Sequence, residues 1–333
     1  MLGQDVCILI AGPCAAESRE QVLAAAHGLQ DVIFRAGVWK PRTRPESFAG
    51  AGEEGLKWLR EVKETMGLRV ATEVATPEQA RVAMEARIDY LWIGARTSAN
   101  PIAVQAIADE ISRFQVAGFR LKGIWVKNPV NEDVELWLGN IRRMQQTGVE
   151  VGAIHRGCGH RPCWAMAHRL RAVMPEVKLL LDPSHMSGDS EQIAPLAMKA
   201  MNLGLDGLMV EVHPNPEKAL SDSRQQITPE RWNMIRREMK DYTPSNDTEL
   251  QWLRAEMDET DDRLWEVLAS RMEISGRIGD YKAERGLAVV QPERYEAIVR
   301  RRLEWAKTNG IPEDTVRAIM DAIHRESCRR QER

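Results

Sequence analysis

The stretch LLLDPSH, residues 179–185, decides the fold. Its apolar run is either a buried strand or a segment of core helix, and its short length favours the strand. It ends at Asp182-Pro183, because proline cannot continue either element in the ordinary way. A buried parallel strand that ends in Asp-x-Ser-His delivers polar side chains at its carboxyl end, where (β/α) barrels carry their active sites. One histidine after an Asp-Pro turn is more often structural than functional, so the interpretation depends on the other strands.

Composition narrows the classes of protein. The chain has 333 residues, of which 43% are hydrophobic, so a large core is possible. A formal net charge of -3 gives no basis for nucleic-acid binding, and no run approaches the roughly 18 apolar residues of a membrane span. The first residues, MLGQDVCILIAGPC, lack a basic segment and do not resemble a signal peptide. Five cysteines without a CxxC pair indicate reduced thiols, and we expect a cytoplasmic protein.

Short apolar runs alternate with helical patterns from the N-terminus to about residue 240. Eight such units in this length predict a closed (β/α)8 TIM barrel of the α/β class. A doubly wound open sheet is the alternative, but it normally has a glycine-rich first turn, and no GxGxxG is present. The predicted strands are residues 7–11, 31–35, 69–74, 89–94, 123–127, 149–155, 178–182 and 208–212.

The composition changes near residue 242. The segment YTPSNDT, residues 242–248, combines a proline with turn-forming residues and is the predicted linker. We therefore expect a barrel domain at residues 1–241 and a small all-α domain of three helices at residues 249–333. The predicted helices of the second domain are residues 249–285, 292–308 and 312–330.

Polar groups follow every predicted strand. Because the eighth strand of a closed barrel pairs with the first, the loops after strands one, seven and eight are neighbours. A thiol, an imidazole and two carboxylates on these loops form a plausible site for Mn, Fe, Co or Zn. Each of these groups has a structural explanation, but that explanation must then hold four times at adjacent strand ends. The four residues are Cys14, His185, Glu211 and Asp222.

The other strand ends are basic. Arginine binds phosphate or carboxylate with two hydrogen bonds, and lysine supplies a point charge or a proton. A purely structural role would need acidic partners that the nearby sequence barely provides, so we expect strongly anionic substrates. The cations are Arg35, Lys40, Arg42, Arg96, Lys127 and Arg156.

Together these motifs resemble one enzyme family. They are AGPCAAES (11–18), KPRT (40–43), GAR (94–96), KNP (127–129), HRG (155–157), DPSH (182–185) and EVHPNPEKALSD (211–222). In this order on consecutive strands they resemble the short type of 3-deoxy-D-arabino-heptulosonate 7-phosphate (DAHP) synthase, which lacks an N-terminal regulatory extension. The resemblance covers residues 7 to about 240. It implies condensation of phosphoenolpyruvate with erythrose 4-phosphate in the shikimate pathway of aromatic amino-acid biosynthesis.

The resemblance also implies a role for each site residue. Cys14, His185, Glu211 and Asp222 would be metal ligands, with Mn²⁺ expected first and Fe²⁺, Co²⁺ or Zn²⁺ also possible. Arg96 and Arg156 would hold the phosphate of phosphoenolpyruvate, and Arg35, Lys40 and Lys127 its carboxylate. Arg42 and Thr43 would face erythrose 4-phosphate. Lys127 is the candidate general acid toward the aldehyde oxygen, and Glu73 would position the attacking water.

Two local features bear on the sugar substrate. Many relatives have Ser-Pro after KPRT, whereas this chain has Arg44-Pro45. The octulosonate 8-phosphate synthases of the same superfamily, the alternative function of the barrel, typically have Ala-Asn where this chain has Pro41-Arg42. That dipeptide favours the four-carbon aldose.

The first tail helix is predicted to be too long for its own domain. Spanning Asn246 to Arg285, it would measure roughly 60 Å, more than a domain of this size can cover. Its apolar positions need a partner along the whole length, which predicts an intertwined homodimer. These positions are Leu253, Met257, Leu264, Leu268, Met272 and Ile278.

Charged residues of the tail suggest an anion site. Arg271 and Lys282 share a face of the first helix, whereas Arg254 lies some 25 Å from Arg271 and about 100° off that face, so it joins them only from another subunit. Residues 249–331, including LRAEMDETDDRLWEVLASRMEISGRIGDYKAERG, QPER and HRESCRRQ, resemble the all-helical chorismate mutase.

This second resemblance implies that Arg254 of the partner subunit, Arg271 and Arg294 bind the two carboxylates of chorismate. Lys282 and Gln331 would bind its ether oxygen, with Ser327 nearby. The rearrangement is pericyclic and needs no nucleophile, so the site acts by orientation and charge stabilisation. Gln291 and Tyr295 depart from the family pattern, because carboxylates often contact the substrate hydroxyl there.

These observations predict a bifunctional enzyme. An alternative for the tail is a dimerising sensor that binds chorismate or prephenate and regulates the barrel without turnover. Both roles can coexist, and we expect allosteric inhibition of the synthase by a downstream metabolite that binds the tail.

Overall fold

The computed structural model describes residues 7–40, 46, 48–118 and 120–332. Eight parallel strands pair in chain order and close into a barrel, because β8 pairs with β1. The closed (β/α)8 architecture predicted from the sequence is confirmed. The strands are β1 Ile8–Gly12, β2 Ile33–Arg35, β3 Arg69–Val74, β4 Tyr90–Ile93, β5 Gly123–Lys127, β6 Val151–His155, β7 Leu179–Leu181 and β8 Gly207–Glu211.

Thirteen α-helices accompany the strands in the described part of the chain. Several begin where the sequence supplies a cap: the side chains of Ser18, Thr76 and Asp133 each accept a backbone N–H of the following helix. The helices are α1 Arg19–His27, α2 Glu53–Met66, α3 Pro77–Glu85, α4 Ala95–Ser98, α5 Pro101–Val116, α6 Val134–Gln145, α7 Trp164–Val173, α8 Pro183–Ser187, α9 Ile193–Asn202, α10 Pro229–Asp241, α11 Thr248–Glu284, α12 Pro292–Thr308 and α13 Glu313–Gln331.

The barrel has two apolar layers. Inside, every strand contributes one buried side chain to a common cluster, so the lumen is filled rather than open. Outside, alternate strand residues pack under α1–α10 in one continuous core. Gly152 of β6 makes room for one of the two inner tryptophans, because a Cβ there would lie 2.1 Å from the Trp125 ring. The inner residues are Ile10, Ile33, Ala71, Trp92, Trp125, Ile154, Leu180 and Met209.

The chain divides into two compact units, Met1–Glu256 and Met257–Arg333. The first contains the barrel, and the second contains most of α11 together with α12 and α13. The predicted α-helical tail is therefore confirmed. Within the described residues, no helix combines the length and apolar character needed to cross a lipid bilayer.

One buried histidine in the outer layer should make the stability of the fold depend on pH. His155, at the end of β6, is fully buried against Trp137 of α6 and Trp164 of α7, with ring centroids 6.0 Å and 5.6 Å away. Neither ring nitrogen has a hydrogen-bond partner among the described residues. Burial, with the charge of Arg156, lowers the pKa of His155 from 6.5 to about 3.

This histidine predicts a loss of stability in acid. Below pH 6.5 the unfolded chain takes up a proton at His155, while the folded chain stays neutral there until about pH 3. The free energy of unfolding should therefore fall as the pH is lowered through this window. In urea titrations from pH 7 to pH 5, the wild type should lose about 2 kcal/mol more than His155→Phe. His27→Phe, at an exposed position, should behave like the wild type; equal losses in wild type and His155→Phe would contradict the assignment.

Candidate active sites

The first site forms at the carboxyl ends of the barrel strands, next to the seam between β1 and β8. Cys14 follows β1, Glu211 ends β8, and Asp222 lies in the loop after β8. One ligand atom from each of these three residues lies within 4.8 Å of the other two. Residues about 200 positions apart in the chain therefore form one donor cluster of sulfur and carboxylate oxygen.

The Cys14 thiol is fully buried and faces Asp222. Its Sγ donates to Asp222 Oδ2 at 2.9 Å, and burial, together with the charge of Glu211, raises the pKa of the thiol. Asp222 has φ 51°, a left-handed conformation that is uncommon outside glycine, asparagine and aspartate. Gln226 fixes the loop, because its Oε1 accepts the backbone N–H of Cys14 at 3.0 Å and its Nε2 donates to the Ser221 carbonyl at 2.8 Å.

Glu211 is a fully buried carboxylate with a different partner on each oxygen. Arg35 Nη2 donates to Oε1 at 3.1 Å, and Gln225 Nε2 donates to Oε2 at 2.7 Å. Its backbone N–H donates to Ser184 Oγ at 3.0 Å. Although burial opposes ionisation, His185, Arg35 and Lys40 hold the pKa of Glu211 below its ordinary value.

His185 lies beside this cluster on α8. Its Nε2 is 3.6 Å from Glu211 Oε1, so the imidazole adds a nitrogen next to the three clustered donors. On the other side of the ring, Nδ1 lies 2.8 Å from Asp182 Oδ2, a close contact that is not aligned as a straight hydrogen bond. The structure thus brings all four predicted ligands to one region of the rim.

Lys127 ends β5 and is also buried. Its Nζ donates to Asp182 Oδ2 at 2.6 Å. Burial lowers the pKa of Lys127, although Asp182 opposes this shift. Asp182 is buried, which by itself would raise its pKa, but His185 and Lys127 hold the pKa of Asp182 well below its usual range.

Lys40 and Glu73 face each other across the ends of β2 and β3. Lys40 Nζ donates to the Cys14 carbonyl at 3.1 Å and lies 3.8 Å from Glu73 Oε2. Burial opposes the charged form of Lys40, but electrostatic interactions with Cys14, Glu73 and Glu211 outweigh it, so the pKa of Lys40 is raised. Gly94 of the GAR motif makes room for Glu73, since a Cβ at residue 94 would lie 1.9 Å from Glu73 Oε1.

Two arginines follow β4 and β6. Arg156 is largely buried, whereas Arg96 is exposed. Burial lowers the pKa of Arg156, and the charge of Arg96 lowers it further. Asn128 Oδ1 accepts the backbone N–H of Arg156 at 2.7 Å, and its Nδ2 donates to the Gly157 carbonyl at 3.0 Å. The predicted Arg42 and Thr43, together with Pro41, Arg44 and Pro45, lie outside the described residues.

Arg35 has unused hydrogen-bonding capacity. It is fully buried, its guanidinium lies 4.8 Å from the centre of the Trp92 ring, and it bonds Glu211 through Nη2. Its Nε and Nη1 have no hydrogen-bond partner within the part of the chain that the structure describes. A buried guanidinium with two unsatisfied nitrogens favours an anionic ligand.

The second site is a cavity of about 330 Å³ between the three helices of the second unit. Arg271, Lys282, Arg294, Ser327 and Gln331, all predicted site residues, line it. Gln291 and Tyr295, the two departures, line it as well. Its remaining walls are mostly aliphatic, provided by Ile274, Ile278, Val289, Ile298 and Met320.

Hydrogen bonds fix the polar side of this cavity. Arg271 Nη1 donates to Ser327 Oγ at 2.6 Å, and Lys282 Nζ donates to Gln331 Oε1 at 2.9 Å. The Tyr295 hydroxyl donates to Asp321. Arg254 is exposed, belongs to the first compact unit and is not among the residues lining the cavity.

The sequence interpretation missed the residues that hold the ligands in place. Asn128, Gln225 and Gln226 orient Arg156, Glu211 and Cys14 through the bonds described above. The available signal was weak, because an amide beside a catalytic motif looks like an ordinary loop residue. Asp182 was recognised as polar, but without its two partners.

Comparisons with known proteins identify a family for each part of the chain. Residues 1–247 match the DAHP synthetase I family, and residues 253–332 match chorismate mutase type II. Phospho-2-dehydro-3-deoxyheptonate aldolase of Thermotoga maritima is 32% identical over 257 residues, covering 72% of this chain and 70% of that protein. A 2-dehydro-3-deoxyphosphooctonate aldolase of Desulfatibacillum aliphaticivorans is 31% identical, covering 67% and 87%.

A solved structure gives the same result for the fold. The crystal structure of the Thermotoga maritima aldolase, also titled DAHP synthase, has a TM-score of 0.62 at 31% identity and covers 70% of this chain and 68% of that one. The barrel thus has a matching family, a matching relative and a matching structure. This chain belongs to the DAHP synthetase I family and carries a chorismate mutase type II domain C-terminal to the barrel in the sequence, which makes it a bifunctional enzyme.

Proposed function

We propose that the barrel catalyses the metal-dependent condensation of phosphoenolpyruvate with erythrose 4-phosphate to DAHP and phosphate. The observation that carries this proposal is the donor cluster of Cys14 and Glu211, which are fully buried, with Asp222, which is exposed; it lies beside the unsatisfied guanidinium nitrogens of Arg35. The cluster suits a cation, and the guanidinium suits an anionic substrate.

The donor residues fit a divalent transition metal. A buried thiol beside two carboxylates is stabilised as a thiolate only if positive charge is added, and mixed sulfur, nitrogen and oxygen ligands suit Mn, Fe, Co or Zn. Cys14, His185, Glu211 and Asp222 would hold the ion, with Mn²⁺ as our first choice. When bound, the ion supplies Lewis-acid polarisation of the aldehyde oxygen.

The cations would bind phosphoenolpyruvate at both ends. The free Nε and Nη1 of Arg35, together with Lys40 and Lys127, suit the carboxylate, because all three side chains are largely buried and cationic. Arg156 and Arg96 suit the phosphate, and their mutual repulsion is relieved when a dianion binds between them. We retain Arg42 and Thr43 as proposed contacts of erythrose 4-phosphate.

In the reaction, the π electrons of the C2–C3 double bond of phosphoenolpyruvate form the bond from C3 to the aldehyde carbon, which leaves C2 electron-poor. Lys127 donates a proton to the aldehyde oxygen, which becomes a hydroxyl. Glu73 positions the water that adds to C2. The oxygen of this water becomes the C2 ketone as the C2–O bond to phosphate breaks; one of its protons leaves with the phosphate and the other restores the protonated Lys127. The burial that lowers the pKa of Lys127 makes its proton easier to donate.

The identity of the aldose phosphate needs separate evidence, because this chain resembles both a phospho-2-dehydro-3-deoxyheptonate aldolase and a 2-dehydro-3-deoxyphosphooctonate aldolase. The Pro41-Arg42 dipeptide supports erythrose 4-phosphate. Parallel assays of phosphoenolpyruvate with erythrose 4-phosphate and with arabinose 5-phosphate test this choice. A higher kcat/KM for arabinose 5-phosphate would overturn it.

For the second domain we propose conversion of chorismate to prephenate. The cavity presents Arg271 and Arg294 for the carboxylates and the Lys282–Gln331 pair for the ether oxygen. Its aliphatic walls suit the folded ring and enolpyruvyl group. Holding the reactive conformer and stabilising charge on the breaking C–O bond are sufficient for a pericyclic step.

We also propose that the helical domain forms a homodimer. Large apolar side chains along α11 are exposed, including Met257 at 63%, Leu264 at 61% and Val267 at 68%. A second copy of the helix would cover them and would supply Arg254 to the cavity. We place the barrel domain at residues 1–241, the linker at 242–248 and the mutase domain at 249–333, consistent with the start of α11 at Thr248.

Metal removal should separate the two activities. We expect a chelator to abolish DAHP formation and Mn²⁺ to restore it, because the aldehyde oxygen loses its Lewis acid. The rate of chorismate consumption, measured by absorbance in the same samples, should not change, because the second cavity uses only side-chain donors. A synthase rate that survives thorough chelation would contradict the proposed metal centre.

Replacing one lysine should separate mutase catalysis from ligand sensing. Lys282→Met removes a charged donor to the ether oxygen, and we expect kcat for chorismate to fall about 100-fold or more. Lys307→Met, an exposed change on α12, is the matched control. An unchanged kcat in Lys282→Met, with the control intact, would exclude the proposed role of Lys282.

A further inference from the structure

Asp182 connects two groups that approach it from different strands. Lys127 ends β5, Asp182 follows β7, and β6 lies between them. Oδ2 of Asp182 accepts from Lys127 Nζ at 2.6 Å and lies 2.8 Å from His185 Nδ1. Oδ1 accepts the backbone N–H of His185 at 3.0 Å, which starts α8. Asp182 is fully buried, so water does not compete for these contacts.

The three groups that approach Asp182 can all donate hydrogen bonds: Lys127 Nζ, His185 Nδ1 and the backbone N–H of His185. A carboxylate has acceptor sites for all of them, whereas an amide of the same shape has one oxygen and one NH₂ group. In either orientation, an asparagine at residue 182 would point a donor at a donor. The site therefore specifies an ionised carboxylate rather than a polar residue in general.

The 2.8 Å contact of Asp182 with Nδ1, although not a straight hydrogen bond, also favours one imidazole tautomer. With its proton on Nδ1, facing Asp182, His185 presents the lone pair of Nε2 on the side of Glu211. Carboxylates commonly orient metal-binding histidines in this way. The same oxygen that fixes the imidazole also fixes the ammonium of Lys127.

We propose that Asp182 is a positioning residue that aligns both the metal-binding imidazole of His185 and the proton-donating ammonium of Lys127. The proposal rests on the roles given above to these two residues. It adds that the ligand and the acid are held by one carboxylate, so that displacing it impairs both metal binding and turnover.

The test is Asp182→Asn, with Mn²⁺ affinity measured by calorimetry and kcat measured at saturating Mn²⁺. We expect Mn²⁺ to bind about 10- to 100-fold more weakly, because the imidazole loses its orienting partner. We also expect kcat to stay low when excess Mn²⁺ fills the site, because Lys127 remains misaligned. Unchanged Mn²⁺ affinity would overturn the imidazole half, and full recovery of kcat at saturating Mn²⁺ would overturn the lysine half.

A double-mutant cycle tests the lysine half independently. In a Lys127→Met background, Asp182→Asn should cause little further loss of kcat at saturating Mn²⁺, since the partner is already gone. Multiplicative losses would overturn the coupling. Asp89→Asn is the matched control: Asp89 is a buried carboxylate that contacts Lys63 and Lys122 at the amino-terminal end of β4. It should leave Mn²⁺ affinity and kcat unchanged.

The wild-type chain provides a test that does not depend on the folding of a variant. In ¹⁵N-histidine spectra, assigned with His185→Gln, His185 should be the tautomer protonated on Nδ1. A proton on Nε2 instead would overturn the proposal. If the wild type binds no Mn²⁺, the proposed metal centre fails, and the tautomer still decides whether Asp182 orients the ring.

Discussion

The pairing of β8 with β1 is the constraint on which the barrel site depends. Five consecutive residue pairs, from Ile8–Gly207 to Gly12–Glu211, hold this seam in register. The approach is close, because a Cβ at residue 207 would lie 1.9 Å from the Ile8 carbonyl oxygen. Without this seam, the Cys14 thiol and the Glu211 carboxylate would lie on opposite edges of an open sheet.

Closing the barrel brings charged side chains together at the rim, where several are buried. This requires that each buried carboxylate has a cation or N–H donors as partners. An isolated buried carboxylate is unstable, so each anion at the rim needs a cation or several N–H donors. Glu211 has Arg35 and Gln225, and Asp182 has Lys127 and His185. Because the partners are shared, no charged residue of this group can be removed without leaving another unsatisfied. The same network that stabilises the rim also orients its reactive groups.

The barrel strands and the motifs that follow them could be predicted from the sequence, because both are visible in short local stretches. The β strands, including LLL before Asp182, are short apolar runs between helical patterns, so their number and order are readable. The motifs after the strands identify the side chains that can bind ligands or take part in catalysis. The observed strands differ from the predicted ones mainly by one or two residues at their ends, where hydrogen bonding rather than composition decides.

The positioning residues could not be predicted, because their roles depend on contacts between distant loops. Gln226 is 212 residues from Cys14, and nothing in either local sequence indicates that its amide accepts the Cys14 N–H. His155 reads as part of a basic His-Arg-Gly motif, yet its ring faces tryptophans in the outer core. A sequence motif identifies the residue types at a site, while packing decides which way each side chain points.

The two sites solve different physical problems, and this explains their different construction. In the proposed reaction the barrel holds like charges together around a cation, and most of its charged groups are buried and share hydrogen-bond partners. The cavity of the second domain, in the reaction proposed for it, only has to fold and orient a dianion, and among the described residues none of those lining it is a carboxylate. Its polar residues form short pairs, such as Lys282 with Gln331, against aliphatic walls. Substitutions in the barrel should therefore act jointly, through shared partners, whereas those in the mutase cavity should act more nearly one residue at a time.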